Sequence, residues 1–185
     1  EVKRETIAKK ITQAHCAIGR PSYSMHDTRR LPFFMLTNLF GGPGMNSRLN
    51  MTLREKYGLV YGIDASYSPF TDTGYLGIYF ATDKSNLEKA NALILKEMQL
   101  LKEKPLGKFQ LHTVKEQLMG QLAMAEESNQ NFMLMMAKSI LDVGRVETLE
   151  NIFSEIKKIE APELQEITQE MFDEAQLSYL TFLPE

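Results

Sequence analysis

The side chains with the greatest chemical potential are three histidines, His15, His26 and His112, and one cysteine, Cys16. A catalytic zinc is commonly held by two imidazoles on one helix with a Glu beside them, as H-E-x-x-H or H-x-x-E-H. Both rings then reach one ion while the carboxylate activates water. Neither spacing occurs at any of the three histidines. His112 and Glu116 stand four apart, which on a helix reads as an exposed side-chain contact before it reads as a pair of ligands. His15 and Cys16 are neighbours in an extended stretch, so their side chains point to opposite faces and form no local Cys-His pair. A lone cysteine also rules out an internal disulfide and a thiolate cluster. The glycine-rich Gly41, Gly42 and Gly44, in GGPG, lack the Lys and Ser or Thr of a phosphate-binding loop and follow a helix instead of a strand. No metal and no nucleotide is expected on this chain.

Composition narrows the classes further. With 43% hydrophobic and 24% charged residues the chain has an ordinary globular mixture, and 185 residues suffice for one buried core. A net charge of -3 with scattered basic residues argues against nucleic acid or an anionic membrane surface as partner. No apolar run approaches the roughly 20 residues that cross a bilayer. The opening EVKRETIAKK has neither Met nor an apolar signal core and reads as a piece of a longer chain. Nothing in these features selects a compartment.

The elements that must position any site follow from periodicity and turn chemistry. Residues 5–18 read as one opening strand closed by Gly19, Pro21 and Ser22. Asp27 or Thr28 can cap a helix bearing Leu31, Phe34, Met35, Leu36 and Leu39, with Pro32 in its first turn, and GGPG ends it. Ser47 can cap a short helix to Lys56, closed by Gly58. Alternation over Tyr61–Phe70 and Gly74–Thr82 predicts an antiparallel hairpin. Ser85 and Glu88 have capping-box spacing ahead of the stripe Leu87, Ala90, Ile94, Met98 and Leu101. A long helix with Val114, Leu118 and Leu122 follows Pro105, then helices near 132–143 and 148–159 and after Pro162, and a closing strand at 177–183. The methionines of Met133–Met136 are expected to fill core. Strand, helices, hairpin, helices and strand in that order predict an α+β domain over 1–185: a mixed, mainly antiparallel sheet with helices on one face.

One stretch is more specific. GGPGMNSRLNMTLREKYGLVYGIDASYSPF, residues 41–70, resembles the pattern LGGGMSSRLFxxIREKxGLAYSVxS in the second half of the pitrilysin, insulinase and mitochondrial-processing-peptidase family. The matching residues are Gly41, Gly42, Gly44, Met45, Ser47, Arg48 and Leu49, then Leu53, Arg54, Glu55 and Lys56, then Gly58, Leu59 and Tyr61. ITQAHCAIG and DTGYLGIYFATD are similar to flanking strands of the same domain. The resemblance implies the second, non-zinc domain of a two-domain zinc peptidase, with zinc carried by a partner domain on the same or another chain.

It further implies that Arg54 and Tyr61 reach across to that zinc site. There the guanidinium would grip peptide carbonyls and the phenol would donate to the oxyanion. On spacing alone, Arg54 reads first as an ordinary surface ion pair and Tyr61 as a packed sheet residue. Arg48 is read as structural, tying the glycine loop or helix end to a carboxylate. A non-hydrolysing structural domain of a peptidase-like assembly is the rival reading. The chain by itself is expected to bind no stoichiometric zinc and to cleave no peptide. Metal analysis and a peptide digest check this, and one tightly held zinc lost on mutation of His112 or Glu116 would overturn it.

Overall fold

The computed structural model describes residues 1–127 and 129–185, and their side chains except that of Asn131. Its centre is a five-stranded sheet of order β1-β5-β2-β4-β3, with β1 Arg4–Lys9, β2 Ala14–Ser22, β3 Val60–Pro69, β4 Gly74–Thr82 and β5 Ser178–Pro184. β1 runs parallel to β5, and every other pairing is antiparallel. The mixed, mainly antiparallel α+β architecture is therefore as expected. The opening segment differs from expectation. It forms two strands, because the chain turns at 10–13 and β5 inserts between β1 and β2. A strand signal of that length could not show that its halves have different neighbours.

One face of the sheet is covered by helices α1 Arg30–Gly41, α2 Leu87–Glu103, α3 Lys108–Glu126, α5 Leu149–Lys158 and α6 Ala161–Met171, while α4 Asn129–Val143 packs on α3. Inward-facing Cys16 and Ile18 of β2, Ile63, Ala65 and Tyr67 of β3, and Leu76, Ile78 and Phe80 of β4 meet Phe33, Met35, Leu36 and Phe40 of α1. Period-2 burial on the strands against period-3.6 burial on the helices produces this single apolar layer. Phe40 and Phe172 join α1 to the end of α6 with ring centroids 4.7 Å apart. The stripe Ala90, Ile94, Met98 and Leu101 of α2 is buried as predicted, as are Val114 and Leu118 of α3. Phe34, expected on the apolar face of α1, turns outward.

Gly41 shows how tightly α1 sits on the sheet. A Cβ there would lie 2.6 Å from the Ala65 Cβ and 2.9 Å from Leu49 Cδ1, so only glycine lets the helix end approach β3. Two other expectations fail for local reasons. The Ser85 capping box does not form, because Lys84–Asn86 make a 3-10 turn and α2 begins at Leu87 without a side-chain cap. Met133 and Met135 are exposed, as are Leu134, Ile140 and Leu141, so the Met run is not core. Helical spacing reports that residues share a face, not which neighbour covers it.

The loop ahead of α1 is tied to α6 by a polar cluster. Arg29 donates from its backbone N–H to Asp27 Oδ1 and pairs with Asp27 Oδ2, both at 2.8 Å, while its other Nη meets Glu170 Oε2 at 2.9 Å. Tyr23 donates to the same Glu170 oxygen at 2.9 Å, under the Arg29 guanidinium. The Arg29 side chain donating to Asp27 holds that carboxyl below the usual carboxylate range. A depressed folded-state pKa contributes stability above the unfolded value, about 3.9, that is lost as pH falls through the folded one. Asp27→Asn should therefore cost about 0.5–1 kcal/mol at neutral pH, allowing for solvent screening. Urea unfolding at a series of pH values should show this gap closing below about pH 4; a gap constant with pH would count against the cluster as its origin.

Candidate functional site

The stretch of residues 41–70 folds into one continuous device. α1 ends at Gly41, and Gly42 continues in extended backbone while its N–H still donates to Asn38 O at 3.0 Å. Gly44 accepts from Ser47 N at 3.0 Å and so closes the glycine turn between two helical segments. Asn46 in that turn exchanges amide hydrogen bonds with Gln117 of α3 at 2.9 and 3.1 Å. The three glycines therefore shape the turn and reach no chemical group of their own.

The next segment is helical as expected, but over Asn50–Lys56 it is a π-helix. Tyr57 N donates to Thr52 O at 3.2 Å, five residues back. Ser47 does not cap the backbone; its Oγ accepts from the Asn50 side chain at 2.9 Å. The wide helix is clamped to α2 through one carboxylate, since Glu97 receives Thr52 Oγ1 at 2.9 Å and pairs with Arg48 Nη1 at 3.4 Å. Arg48 is thus structural, as the sequence suggested. π-helical turns are rare and recur at functional sites, where the extra residue re-aims side chains.

After Lys56 the backbone closes on itself. Gly58 N donates to Arg54 O at 3.1 Å and Leu59 N to Leu53 O at 2.8 Å, with Gly58 in the left-handed region at φ 58°. The buried Thr82 Oγ1 then donates to Leu59 O at 2.5 Å. Arg54 is brought by this closure within a few backbone bonds of the start of β3. Its guanidinium makes an exposed 3.7 Å contact with Glu55, and such a pair holds little free energy, on the order of 0–1 kcal/mol. The ordinary ion pair read from the sequence is present, yet it is too weak to withhold the side chain from a ligand.

Tyr61 sits in a β-bulge. From Ile63 to Val60, β3 takes three steps while its partner β4 takes two, from Phe80 to Thr82. Strict alternation from Ile63 would turn Tyr61 into the core. The extra residue instead lets Val60 be buried while Tyr61 stays outside at 71% exposure, on the face no helix covers. Packing in the sheet, the bland alternative for Tyr61, is therefore not what the fold does with it. The bulge escaped the sequence reading; Gly62 inside a strand pattern was the signal that could have found it.

That outer face also carries Tyr75 and Tyr79 of β4, and Asp64 of β3. His15 lies on it too, with Nδ1 2.6 Å from Tyr79 Oη, while Cys16 is buried on the opposite face with its thiol pushed up by desolvation. Among the described residues no group of three His, Cys, Asp or Glu side chains gathers to hold a metal, so the residues present do not fit a zinc ion. No helix among them is long and apolar enough to cross a membrane.

Residues 2–118 match the family model described as the peptidase M16 inactive domain. The chain belongs to the peptidase M16 family. It is similar to the uncharacterized zinc protease YmxG of Bacillus subtilis, 29% identical over 169 residues that make up 91% of this chain and 41% of that one. A zinc protease of Streptomyces coelicolor is 27% identical over 90% of this chain and 36% of its own length. This M16 domain thus spans less than half the length of those relatives. Its fold matches a peptidase M16 inactive domain from Pseudomonas fluorescens with a TM-score of 0.83 at 17% identity, covering all of this chain and 44% of that one. A chain of Complex III2 from Candida albicans matches at 0.84 and 16% identity, over 98% of this chain and 46% of its own. The resemblance read from Gly41–Tyr61 is borne out at the level of family and fold: this is the inactive, C-terminal type of M16 domain found in zinc protease-like proteins.

Gly58 should be the sensitive position of the M16 motif and Tyr61 the insensitive one for folding. Forcing a Cβ into the left-handed region costs about 1–2 kcal/mol, so Gly58→Ala should lower the urea midpoint. Tyr61→Phe, at an exposed site, should stay within about 0.5 kcal/mol. Equal midpoints for Gly58→Ala and the parent chain would remove the closure as a stability element.

Proposed function

We propose that this domain is the substrate-gripping, non-catalytic half of a zinc metallopeptidase, holding an extended peptide against a zinc-bearing domain on the same or another chain. The observation that carries the reading is the bulge: a tyrosine that alternation would bury is placed instead on the uncovered sheet face, beside a π-helix bearing Arg54. The partner domain supplies the zinc, its ligands and the general base.

In this reading the two side chains have different tasks. The Arg54 guanidinium, with five N–H donors and no strong partner of its own, orients peptide carbonyls. The Tyr61 hydroxyl donates to the scissile carbonyl oxygen as water adds and negative charge collects there. A donor aimed at charge that exists only in the transition state accelerates the reaction without tightening ground-state binding. The bulge and the Leu59 anchor supply the preorganisation such a donor needs, because a mobile phenol would first have to be ordered. The rival reading is a scaffold that hydrolyses nothing.

Steady-state kinetics on the complete assembly separates the two. Tyr61→Phe should lower kcat about a hundredfold with little change in KM, the usual size for loss of one oxyanion donor. Arg54→Ala should raise KM as well, because positioning is lost. Near-parental values for both variants, with zinc content and folding intact, would leave the domain as a scaffold.

A further inference from the structure

We propose that α4 is a docking helix, whose stripe of Met133, Leu134, Ala137, Ile140 and Leu141 seats against the zinc-bearing half of the peptidase. The proposal rests on the presence of that half in the reading above and names the surface that would hold it.

α4 is apolar nearly all round, with Lys138 and Asp142 its only charged residues. At about 100° per residue, Phe132, Met136, Ser139 and Val143 share one side, and their partial burial places that side on α3. Met133, Leu134, Ala137, Ile140 and Leu141 recur at spacings of three and four on the adjoining side, and all of them are exposed. Among the described residues no side chain of α4 is buried. A helix with two apolar stripes calls for two neighbours, and this chain supplies one. A contiguous exposed apolar stripe marks an interaction surface, and unbranched methionine adapts to an irregular partner.

Size and charge select the occupant. The chain spans 41% and 36% of the zinc proteases it resembles, so more than half of each relative lies outside the matched part, room for another domain of at least this size. A second copy fits poorly. Pairing two such stripes about a two-fold axis at Ala137 sets Lys138, on the free flank of the stripe, beside its own symmetry mate, and like charges across a helical seam oppose association. Nor does a single lysine make the cationic flank that an anionic membrane surface would need.

The test treats the complete assembly with dilute hydrogen peroxide and follows sulfoxide formation at each methionine by mass spectrometry. Met133 is 62% exposed on this domain and Met135, on the side of α4 opposite the stripe, 43%, so without a neighbour Met133 should react first. Docking reverses the order, and Met133 should oxidise about tenfold more slowly than Met135. Leu134→Glu together with Leu141→Glu should return Met133 to at least the rate of Met135, while the buried Met35, Met98 and Met171 stay protected and report an intact fold. The neighbour is identified by Leu141→p-benzoylphenylalanine, with the cross-link mapped after irradiation. A cross-link into the zinc-bearing domain supports the proposal. A cross-link to residues 129–143 of a second copy, to a peptide substrate or to nothing overturns it, as does Met133 reacting faster than Met135. Should the double variant lose its fold, the oxidation order of the parent assembly and the cross-link decide without it. If docking fails while Tyr61→Phe still slows turnover, the substrate-gripping reading survives; near-parental kinetics beside a cross-link to the zinc-bearing domain would leave a docked scaffold.

Discussion

Leu59 has both backbone groups committed, its N–H to Leu53 O and its C=O to the buried Thr82 hydroxyl. A buried residue whose backbone is satisfied on both sides is expensive to move, because releasing either bond strands a polar group away from water. The first bond closes the π-helix onto the start of β3, and the second nails that start to the end of β4. The position of Arg54 relative to the sheet, and the point at which Tyr61 leaves it, both follow from this one residue. Gly58 is the residue that makes the closure sterically possible, since the return path passes through the left-handed region.

Two departures from regular structure flank this anchor, and each adds a residue where a regular element would have none. The π-helix widens the turn that carries Arg54, and the bulge inserts Tyr61 into β3 without disturbing Val60 and Ile63 in the core. Both cost some hydrogen-bond regularity. The cost is tolerable here because the clamp of Glu97 on Arg48 and Thr52 and the apolar side chains of Leu49 and Leu53 hold the surrounding structure in place. Irregularity confined to the segment that displays Arg54 and Tyr61 separates the stabilising face of the sheet from the displaying one.

The sequence was informative where a signal is local and repeated. Alternation in β3 and β4, the stripe of α2 and the glycine turn before Ser47 each depend on residues a few positions apart, and each was legible. The topology was not. That β5 lies between β1 and β2 depends on pairing across more than 160 residues, which no local pattern encodes. Exposure of Met133, Leu134 and Met135 and the choice of π over α at Asn50 likewise depend on neighbours distant in sequence. Arg54 and Tyr61 were found through a family motif, whereas periodicity alone misplaces Tyr61: counted from Ile63, it belongs in the core.

The misplacement has a physical lesson for the site as a whole. A hydroxyl donor that serves a transition state must be displayed to the reacting group, yet its backbone must be as fixed as core. Burial secures rigidity but removes access; a surface loop does the reverse. A bulge on an edge strand satisfies both demands, because the residues on either side stay in the ladder while the inserted one is turned out.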